Sequence, residues 1–200
     1  MEASVGGSPT SERLTGSSWL EQTELMVRPE AVLIRPSTAE DFDAWFALYD
    51  AVAAEGKWIG GESPSDRAAL RQDFERHLGS EDGVTLLAEA NDELVGMLDV
   101  GLCRGVASFG MLVEARRRHQ GIGSRLVEAC ISWAAEHGAH KISCTVWPHN
   151  AVALALYRKY GFVDEARLRR HDRRRNGQLW DGIGMGLVLD WEAPGSVYGS

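Results

Sequence analysis

The chain has no long apolar run and no excess of positive charge. None of its apolar stretches approaches the roughly 20 residues needed to cross a bilayer, and Glu2 stands where a secretory signal would be basic. The formal net charge of −8 argues against general attraction to nucleic acid or to an anionic membrane surface. These absences predict a cytoplasmic protein that binds neither nucleic acid nor membrane.

Cysteine is also scarce. Cys103, Cys130 and Cys144 are an odd number and lack the spacing of metal ligands. They predict buried free thiols in a reducing compartment, and no metal site is expected.

A chain of 200 residues is long enough for one domain with a substantial core. Its start differs from the rest, because residues 1–18 are dominated by Ser, Gly and Thr. Such a composition cannot bury enough apolar area to offset the entropy of ordering it. We therefore expect a disordered tail over residues 1–30, one domain over 31–191 and a C-terminal tail over 192–200.

From residue 31 onward, apolar patterns and turn residues alternate regularly. Alternation with a period of two predicts strands, and apolar spacing of three and four predicts helices. The predicted order is β-α-α-β-β-β-α-β-α-β-β, a mixed α/β fold built in layers. Strands are expected at 31–35, 84–90, 94–102, 106–113, 141–146, 162–168 and 183–189, and helices after residue 37 and at 66–78, 121–137 and 150–160.

Two glycines follow a predicted strand and open the helix at 121–137. The segment is Arg118-His119-Gln120-Gly121-Ile122-Gly123, and the apolar run Met111-Leu112-Val113 lies upstream. Glycines let a backbone approach phosphates closely, and the first N–H groups of a helix point at an anion. The pattern favours a pyrophosphate site, with a simple glycine loop as the alternative.

A second pattern begins where the helix at 150–160 starts. It runs Asn150-x-x-Ala153-x-x-Leu156-Tyr157-x-Lys159-x-Gly161-Phe162. Asn150 and Tyr157 are seven residues apart, almost two helical turns, so they share a face. By residue type alone, Asn150 would be a helix N-cap and Tyr157 a core aromatic.

Together the two patterns resemble those of the GNAT superfamily of acetyl-CoA-dependent N-acetyltransferases, and the order of elements agrees with that family. The resemblance implies a partly splayed mixed β-sheet flanked by helices on both faces. Acetyl-CoA, as co-substrate, would lie between the strands at 106–113 and 141–146, and no metal is implied.

The resemblance also implies roles for single residues. The backbone of Met111, Leu112 and Val113 would pair with the pantetheine amides, and one N–H group would polarise the thioester carbonyl, as donors do in acyl transfer generally. Asn150 would bind the amide chain or a bridging water, and Tyr157 would protonate the departing CoA thiolate. The pyrophosphate would be wrapped by Arg118, His119, Gln120, Gly121, Ile122, Gly123 and Ser124.

The general base has no assigned residue, because Ala107 stands where some members of that family carry a glutamate. The candidates are Glu55, Glu62, His149 and water. Trp58 and Glu62, in the loop after the first helix, are expected to bind a cationic amine. Alternatively, Trp58 attaches that loop to the core.

Six arginines crowd the last predicted hairpin. They form either a solvated face or a recognition surface for a carboxylate or phosphate of the acceptor, which a planar guanidinium suits. The acidity of the chain and the lack of interleaved aromatics argue against a nucleic-acid surface. The six are Arg167, Arg169, Arg170, Arg173, Arg174 and Arg175.

The predicted function is N-acetylation of a small amine or amino acid by direct attack in a ternary complex, since no cysteine is placed for an acetyl-enzyme. A protein N-terminus or lysine is the alternative acceptor. A non-catalytic acyl-CoA-binding module and a dinucleotide-binding oxidoreductase are the rival classes, although Leu126 stands near where a dinucleotide loop has its third glycine. A homodimer fits the commonest oligomer symmetry.

Overall fold

The predicted order of elements is present in the computed structural model of the chain, which describes residues 31–189. The tails expected at 1–30 and 192–200 lie outside the described residues. The strands are β1 (Leu33–Pro36), β2 (Gly83–Ala90), β3 (Glu93–Cys103), β4 (Val106–Val113), β5 (Lys141–Val146), β6 (Val163–Arg173) and β7 (Leu179–Val188). The helices are α1 (Phe42–Ala54), α2 (Arg67–Arg76), α3 (Ile122–Glu136) and α4 (Ala151–Lys159).

The seven strands form one sheet in the order β1-β2-β3-β4-β5-β7-β6. Every neighbouring pair is antiparallel except β4 and β5, which are parallel. That parallel pairing joins only Val106–Ser108 of β4 to Lys141–Ser143 of β5. The remainder of the two strands diverges, so the expected splay of the sheet is confirmed and opens a cleft in its middle.

Helices cover both faces of the sheet, as expected. On one face, α1 and α2 pack their aromatic side chains, including Phe42, Trp45 and Phe74, against Leu87 and Met97 of the sheet. On the other face, α3 and α4 enclose a larger apolar cluster. Because side chains of a strand alternate between faces, adjacent residues such as Leu86 and Leu87 belong to different clusters.

The buried face of α3 differs from the prediction at one side chain. Ile122, Leu126, Cys130 and Ala134 are buried as their spacing predicts. Trp133 is only partly buried, because its ring stacks on His137 at a centroid distance of 4.3 Å at the edge of the helix.

The start of α1 is attached to β1 through one charged group. Arg35 of β1 donates to both carboxylate oxygens of Asp41, each at 2.8 Å, and its Nε donates to Glu89 at 2.9 Å. Asp41 also accepts the backbone N–H of Thr38 at 2.7 Å. This network fixes the direction in which the chain leaves the sheet edge and enters the helix.

The last hairpin is longer than predicted. β6 extends to Arg173 instead of 168, and β7 begins at Leu179 instead of 183. Irregularities in the β6 register, between Asp164 and Ala166 and between Leu168 and Asp172, let the two strands stay paired over this length.

Among residues 31–189, no helix combines the length and apolarity needed to cross a bilayer.

Candidate active site

The cleft between β4 and β5 contains a cavity of about 590 Å³. The start of α3 and one side of α4 complete its walls. Of the fourteen site residues predicted from the sequence, all except Gln120 and Glu62 line it. Those lining residues are Trp58, Met111, Leu112, Val113, Arg118, His119, Gly121, Ile122, Gly123, Ser124, Asn150 and Tyr157.

The open edge of β4 supplies backbone groups to the cavity. The segment Phe109–Val113 pairs with β3 on one side and lies beyond the last residue that pairs with β5 on the other. Half of the N–H and C=O groups of such a strand point toward its open side. An extended chain that carries amides can pair with them as an additional strand does.

The start of α3 supplies a second set of donors. Gly121 has φ of +84° and His119 has φ of +63°, so the chain turns sharply before the helix. The first turn of a helix leaves N–H groups without intrahelical acceptors, and the first such bond here runs from Arg125 N–H to the Gly121 carbonyl at 3.2 Å. This geometry suits a phosphate group.

Gly123 permits close contact between α3 and α4. A Cβ atom at this position would lie 3.1 Å from Cδ2 of Leu156 and 3.6 Å from the terminal methyl of Met111. A side chain there would therefore push α4 away from the cavity or fill part of the space beside it.

Arg118 is held by an acidic partner outside the cavity lining. Its Nη1 donates to Glu55 at 2.8 Å, and its Nε donates to the Val113 carbonyl at 3.1 Å. The indole N–H of Trp58 donates to the same Glu55 carboxylate at 2.6 Å. The hydrogen bonds from Arg118 keep the pKa of Glu55 below its usual value, which makes this carboxylate a weak base.

Tyr157 lies on the cavity wall and packs edge-on against Phe109, with ring centroids 5.3 Å apart. Burial raises the pKa of its hydroxyl well above the usual range, and the nearby Cys144 adds to that effect. The hydroxyl therefore keeps its proton at neutral pH and can donate it to a stronger base.

Asn150 accepts the Ala153 N–H at 3.1 Å and so caps α4, while it also lines the cavity. Its two expected positions, at a helix cap and at the cleft, are therefore compatible with each other.

The cysteines are free, as predicted, but not all are buried. Cys103 is exposed, whereas Cys130 and Cys144 are buried. Cys144 lines the cavity, and burial raises its pKa to about 12. It is therefore a protonated thiol and a poor nucleophile at neutral pH. Within the described part of the chain, no group of His, Cys, Asp or Glu residues has the arrangement of a metal site.

Aromatic side chains form part of the cavity wall, and one of them, Trp58, lies beside Arg118 with the guanidinium 5.5 Å from its ring centroid. Trp58 and Trp147 line the cavity, and Trp180 packs edge-on against Trp147 with centroids 5.6 Å apart. His149 packs on Trp180 at 5.0 Å, and its Nε2 lies 2.7 Å from the Lys57 carbonyl. Since a carbonyl only accepts, Nε2 is the donor in this contact.

Two predicted site residues, Gln120 and Glu62, and two further base candidates, Glu55 and His149, lie outside this cavity lining. Gln120 donates to the Arg116 carbonyl at 3.0 Å. Glu62 accepts the Arg175 N–H at 2.8 Å and faces the Arg174 guanidinium at 3.4 Å. His149 stands behind Trp58, at a ring-centroid distance of 6.5 Å.

Residue spacing did not indicate two features of this region, an ion pair and a buried arginine. The Glu55–Arg118 pair joins positions 63 residues apart, and Arg174 is buried although five other arginines of its hairpin are exposed. The arginines of the hairpin were expected to form a solvated face or a recognition surface, and neither expectation indicated that Arg174 is buried.

The family model described as acetyltransferase (GNAT) family matches residues 42–162, which is more than half of the chain. The chain belongs to the GNAT family. Like other GNAT members it is an acetyltransferase, and the expected fold and enzyme class are confirmed.

Three GNAT relatives illustrate the similarity. The L-amino acid N-acetyltransferase AaaT of Escherichia coli is 26% identical over 167 residues, which cover 78% of this chain and 98% of that protein. The structure of ribosomal-protein-alanine N-acetyltransferase from Brucella melitensis is 26% identical with a TM-score of 0.72, and the match covers 78% of this chain and 99% of the other. The yncA structure from Salmonella typhimurium, solved with acetyl-CoA, has 20% identity and a TM-score of 0.73, with 84% and 99% covered.

Proposed function

We propose that this GNAT enzyme transfers the acetyl group of acetyl-CoA to the primary amine of a small, amino-acid-like acceptor. The observation that carries the proposal is the cleft itself, where an open strand edge, the first turn of α3 and Tyr157 line one cavity. Acetyl-CoA has a diphosphate, an amide-bearing pantetheine arm and a thiolate leaving group, and each finds a suitable partner in that cavity.

Residues of the cavity bind acetyl-CoA, and one of them supplies a proton to the leaving group. The first N–H groups of α3 and the loop at His119–Gly121 bind the diphosphate. The open edge of Phe109–Val113 pairs with the pantetheine amides, and one of its N–H groups stabilises negative charge on the carbonyl oxygen. Tyr157 donates its proton to the leaving thiolate, whose ordinary pKa of about 8.5 rises in a desolvated site. The nitrogen of the tetrahedral intermediate loses its extra proton to water, and the Tyr157 phenolate takes a proton back from water.

The acceptor attacks directly, without an acetyl-enzyme. Cys144 is the cysteine that lines the cavity, and its raised pKa of about 12 keeps it protonated. We assign deprotonation of the acceptor ammonium to water, because Glu55 is paired with Arg118, Glu62 is paired with Arg174, and His149 does not line the cavity. The rate at subsaturating acceptor then rises with pH as more of the amine becomes neutral.

The cavity wall favours an acceptor with an apolar side chain. Among the described lining residues there is no Asp or Glu, while Val52, Trp58, Ile59 and Trp147 contribute apolar surface. Polyamines, which need several carboxylates, fit such a wall poorly. Relatives named as acetyltransferases of L-amino acids and of L-methionine sulfoximine and sulfone support an α-amino acid acceptor.

The test begins with calorimetric titration of acetyl-CoA into wild type, Gly121→Glu and Gly138→Glu. Gly121 and Gly138 flank the two ends of α3, both have positive φ, and neither has an atom within 4 Å of an added Cβ. We expect saturable binding in wild type and in Gly138→Glu, and loss of binding in Gly121→Glu. Only Gly121→Glu puts a carboxylate among the phosphate-binding donors.

Release of CoA is then measured with a panel of acceptors. We expect turnover with apolar L-amino acids and little with spermidine. Turnover only with peptides would place the acceptor among protein N-termini. Binding without turnover for any acceptor would contradict catalysis and leave an acyl-CoA-binding module, and absence of binding by folded wild type would overturn the proposal.

A further inference from the structure

Arg174 is the buried arginine of the last hairpin. It follows the end of β6, in the loop closed by the hydrogen bond from Arg174 N–H to the Gln178 carbonyl at 2.9 Å. Its side chain is only 2% exposed. Since a buried guanidinium loses its hydration, it depends on partners that the protein supplies; here Nε and Nη1 have such partners, and Nη2 has none among the described residues.

Those partners lie on the loop between α1 and α2. Arg174 Nη1 donates to the carbonyls of Gly60 at 2.8 Å and Ile59 at 3.3 Å. Its Nε faces Glu62 at 3.4 Å, and Glu62 accepts the N–H of Arg175 at 2.8 Å. Arg175 Nη2 also donates to the Pro64 carbonyl at 3.1 Å, so five contacts join the tip of the hairpin to a loop more than 100 residues earlier in the chain.

The guanidinium also stacks on Trp180, which packs behind the cavity wall. Its central carbon lies 4.5 Å from the centroid of Trp180, and Trp180 packs against Trp147. Ile59, Gly60 and Trp147 all line the cavity. Arg174 therefore contacts the wall at Ile59 and Gly60 through their carbonyls. It supports the wall at Trp147 through the indole of Trp180.

We propose that Arg174 is the positioning residue that sets the shape of the cavity wall assigned to the acceptor, which includes Ile59 and Trp147. This inference rests on the proposed function, since it concerns how the acceptor is selected. Arg174 is not assigned a contact with the acceptor, because it does not line the cavity and already faces the carboxylates of Glu62 and Asp172. It acts by holding Ile59, Gly60 and Trp180 in place.

The test compares Arg174→Met and Arg174→Lys with Arg173→Met, in which an exposed neighbour is changed. In Arg174→Met, two loop carbonyls and Glu62 lose a charged donor, so we expect KM for the acceptor to rise about tenfold or more. The KM for acetyl-CoA should stay within about twofold, because β4 and the start of α3 are untouched. Arg174→Lys should recover part of the loss, since one ammonium cannot reach all the partners.

Hydrogen exchange gives a second readout that does not need turnover. Residues 57–64 should exchange faster in Arg174→Met than in Arg173→Met, while α3 and β4 keep their protection. Glu62→Gln, which weakens the same connection from the loop side, should raise the KM for the acceptor in the same direction with a smaller effect.

The outcomes separate this inference from the proposed function. An active wild type with an unchanged acceptor KM in folded Arg174→Met would overturn the positioning role, as would equal rises of both KM values. If the wild type transfers no acetyl group, the proposed function fails. The exchange rates of residues 57–64 then decide alone whether Arg174 orders the loop.

Discussion

Tyr157 is buried and also lines the cleft. Because burial raises the pKa of its hydroxyl, the hydroxyl is protonated at neutral pH. A group of this kind serves as an acid but not as a base. Its contribution to catalysis should therefore be independent of pH, in contrast to that of the acceptor amine.

Tyr157→Phe removes the proton donor and preserves the ring that packs on Phe109. We expect kcat to fall about 100-fold, with the affinity for acetyl-CoA measured by calorimetry unchanged within about twofold. The ratio of the two kcat values should be constant between about pH 6 and 9, since the Tyr157 pKa lies above that range.

Tyr160→Phe is the matched control, because its hydroxyl donates to Glu128 at 2.6 Å and it does not line the cavity. An equal loss of kcat in both variants would contradict the assigned role of Tyr157.

At the residue scale, the sequence predicted the positions of those side chains that depend only on local backbone geometry. Asn150 and Tyr157 share a helix face because of their spacing, and Gly121 opens a helix because glycine tolerates positive φ. The burial of Arg174 and the Glu55–Arg118 pair depend on contacts between distant segments. A local residue pattern does not indicate which distant segment will pack against it in the folded chain.

At the scale of elements, the attachment of α1 to the sheet depends on Asp41. The hydrogen bonds from Arg35 lower its pKa from 3.8 to about 2. Because the folded-state pKa lies below the unfolded one, the stabilisation is fully present above about pH 4 and is lost as pH falls toward 2. The pair is partly exposed, so its contribution is about 1 kcal/mol.

Asp41→Asn should therefore lower the free energy of unfolding by about 1 kcal/mol at pH 7, measured by urea denaturation. The difference from wild type should shrink as the pH approaches 2. Asp43→Asn, in the first turn of α1 with a side chain 78% exposed, should change stability less. A difference between Asp41→Asn and wild type that stays constant with pH would exclude this origin.

The boundaries of elements were predicted best where a strand or helix ends in a strong local signal. β4 and β5 begin and end where expected, and α3 lies between Gly121 and Gly138. β6 was predicted too short because its second half, residues 169–173, is a continuous run of charged residues and one histidine without an apolar side chain. Pairing with β7 stabilises that half regardless of its composition.

For the whole molecule, the central consequence of the splayed sheet is a ligand-sized gap between two halves of the core. A ligand that binds the folded state alone should stabilise it. At 100-fold excess over Kd, acetyl-CoA should add about 2.7 kcal/mol, which raises Tm by about 5–10 °C in a protein of this size.

CoA should give a comparable shift in thermal denaturation, because it has the same diphosphate and pantetheine arm. NADH should give none, since it lacks the arm that pairs with β4. A shift with NADH and none with acetyl-CoA would favour the dinucleotide-binding alternative.

The splay itself could not be deduced from strand patterns. Alternating residues in β4 and β5 predict two strands, but the number of paired residues depends on how both pack against α3 and α4. It was expected because the two motifs resemble those of a family with such a sheet. The order of elements, in contrast, followed from the chain alone.

β6 is an edge of the sheet, since within the described residues it pairs with β7 only. The unpaired backbone groups of an edge strand can form hydrogen bonds with strands of other molecules, and side chains of like charge on that edge oppose such pairing. The opposite edge, β1, is only four residues long and ends in Pro36. The arginines that remain exposed on β6 therefore act against self-association, and because salt screens charge, concentrated solutions of this enzyme should aggregate more readily as ionic strength rises.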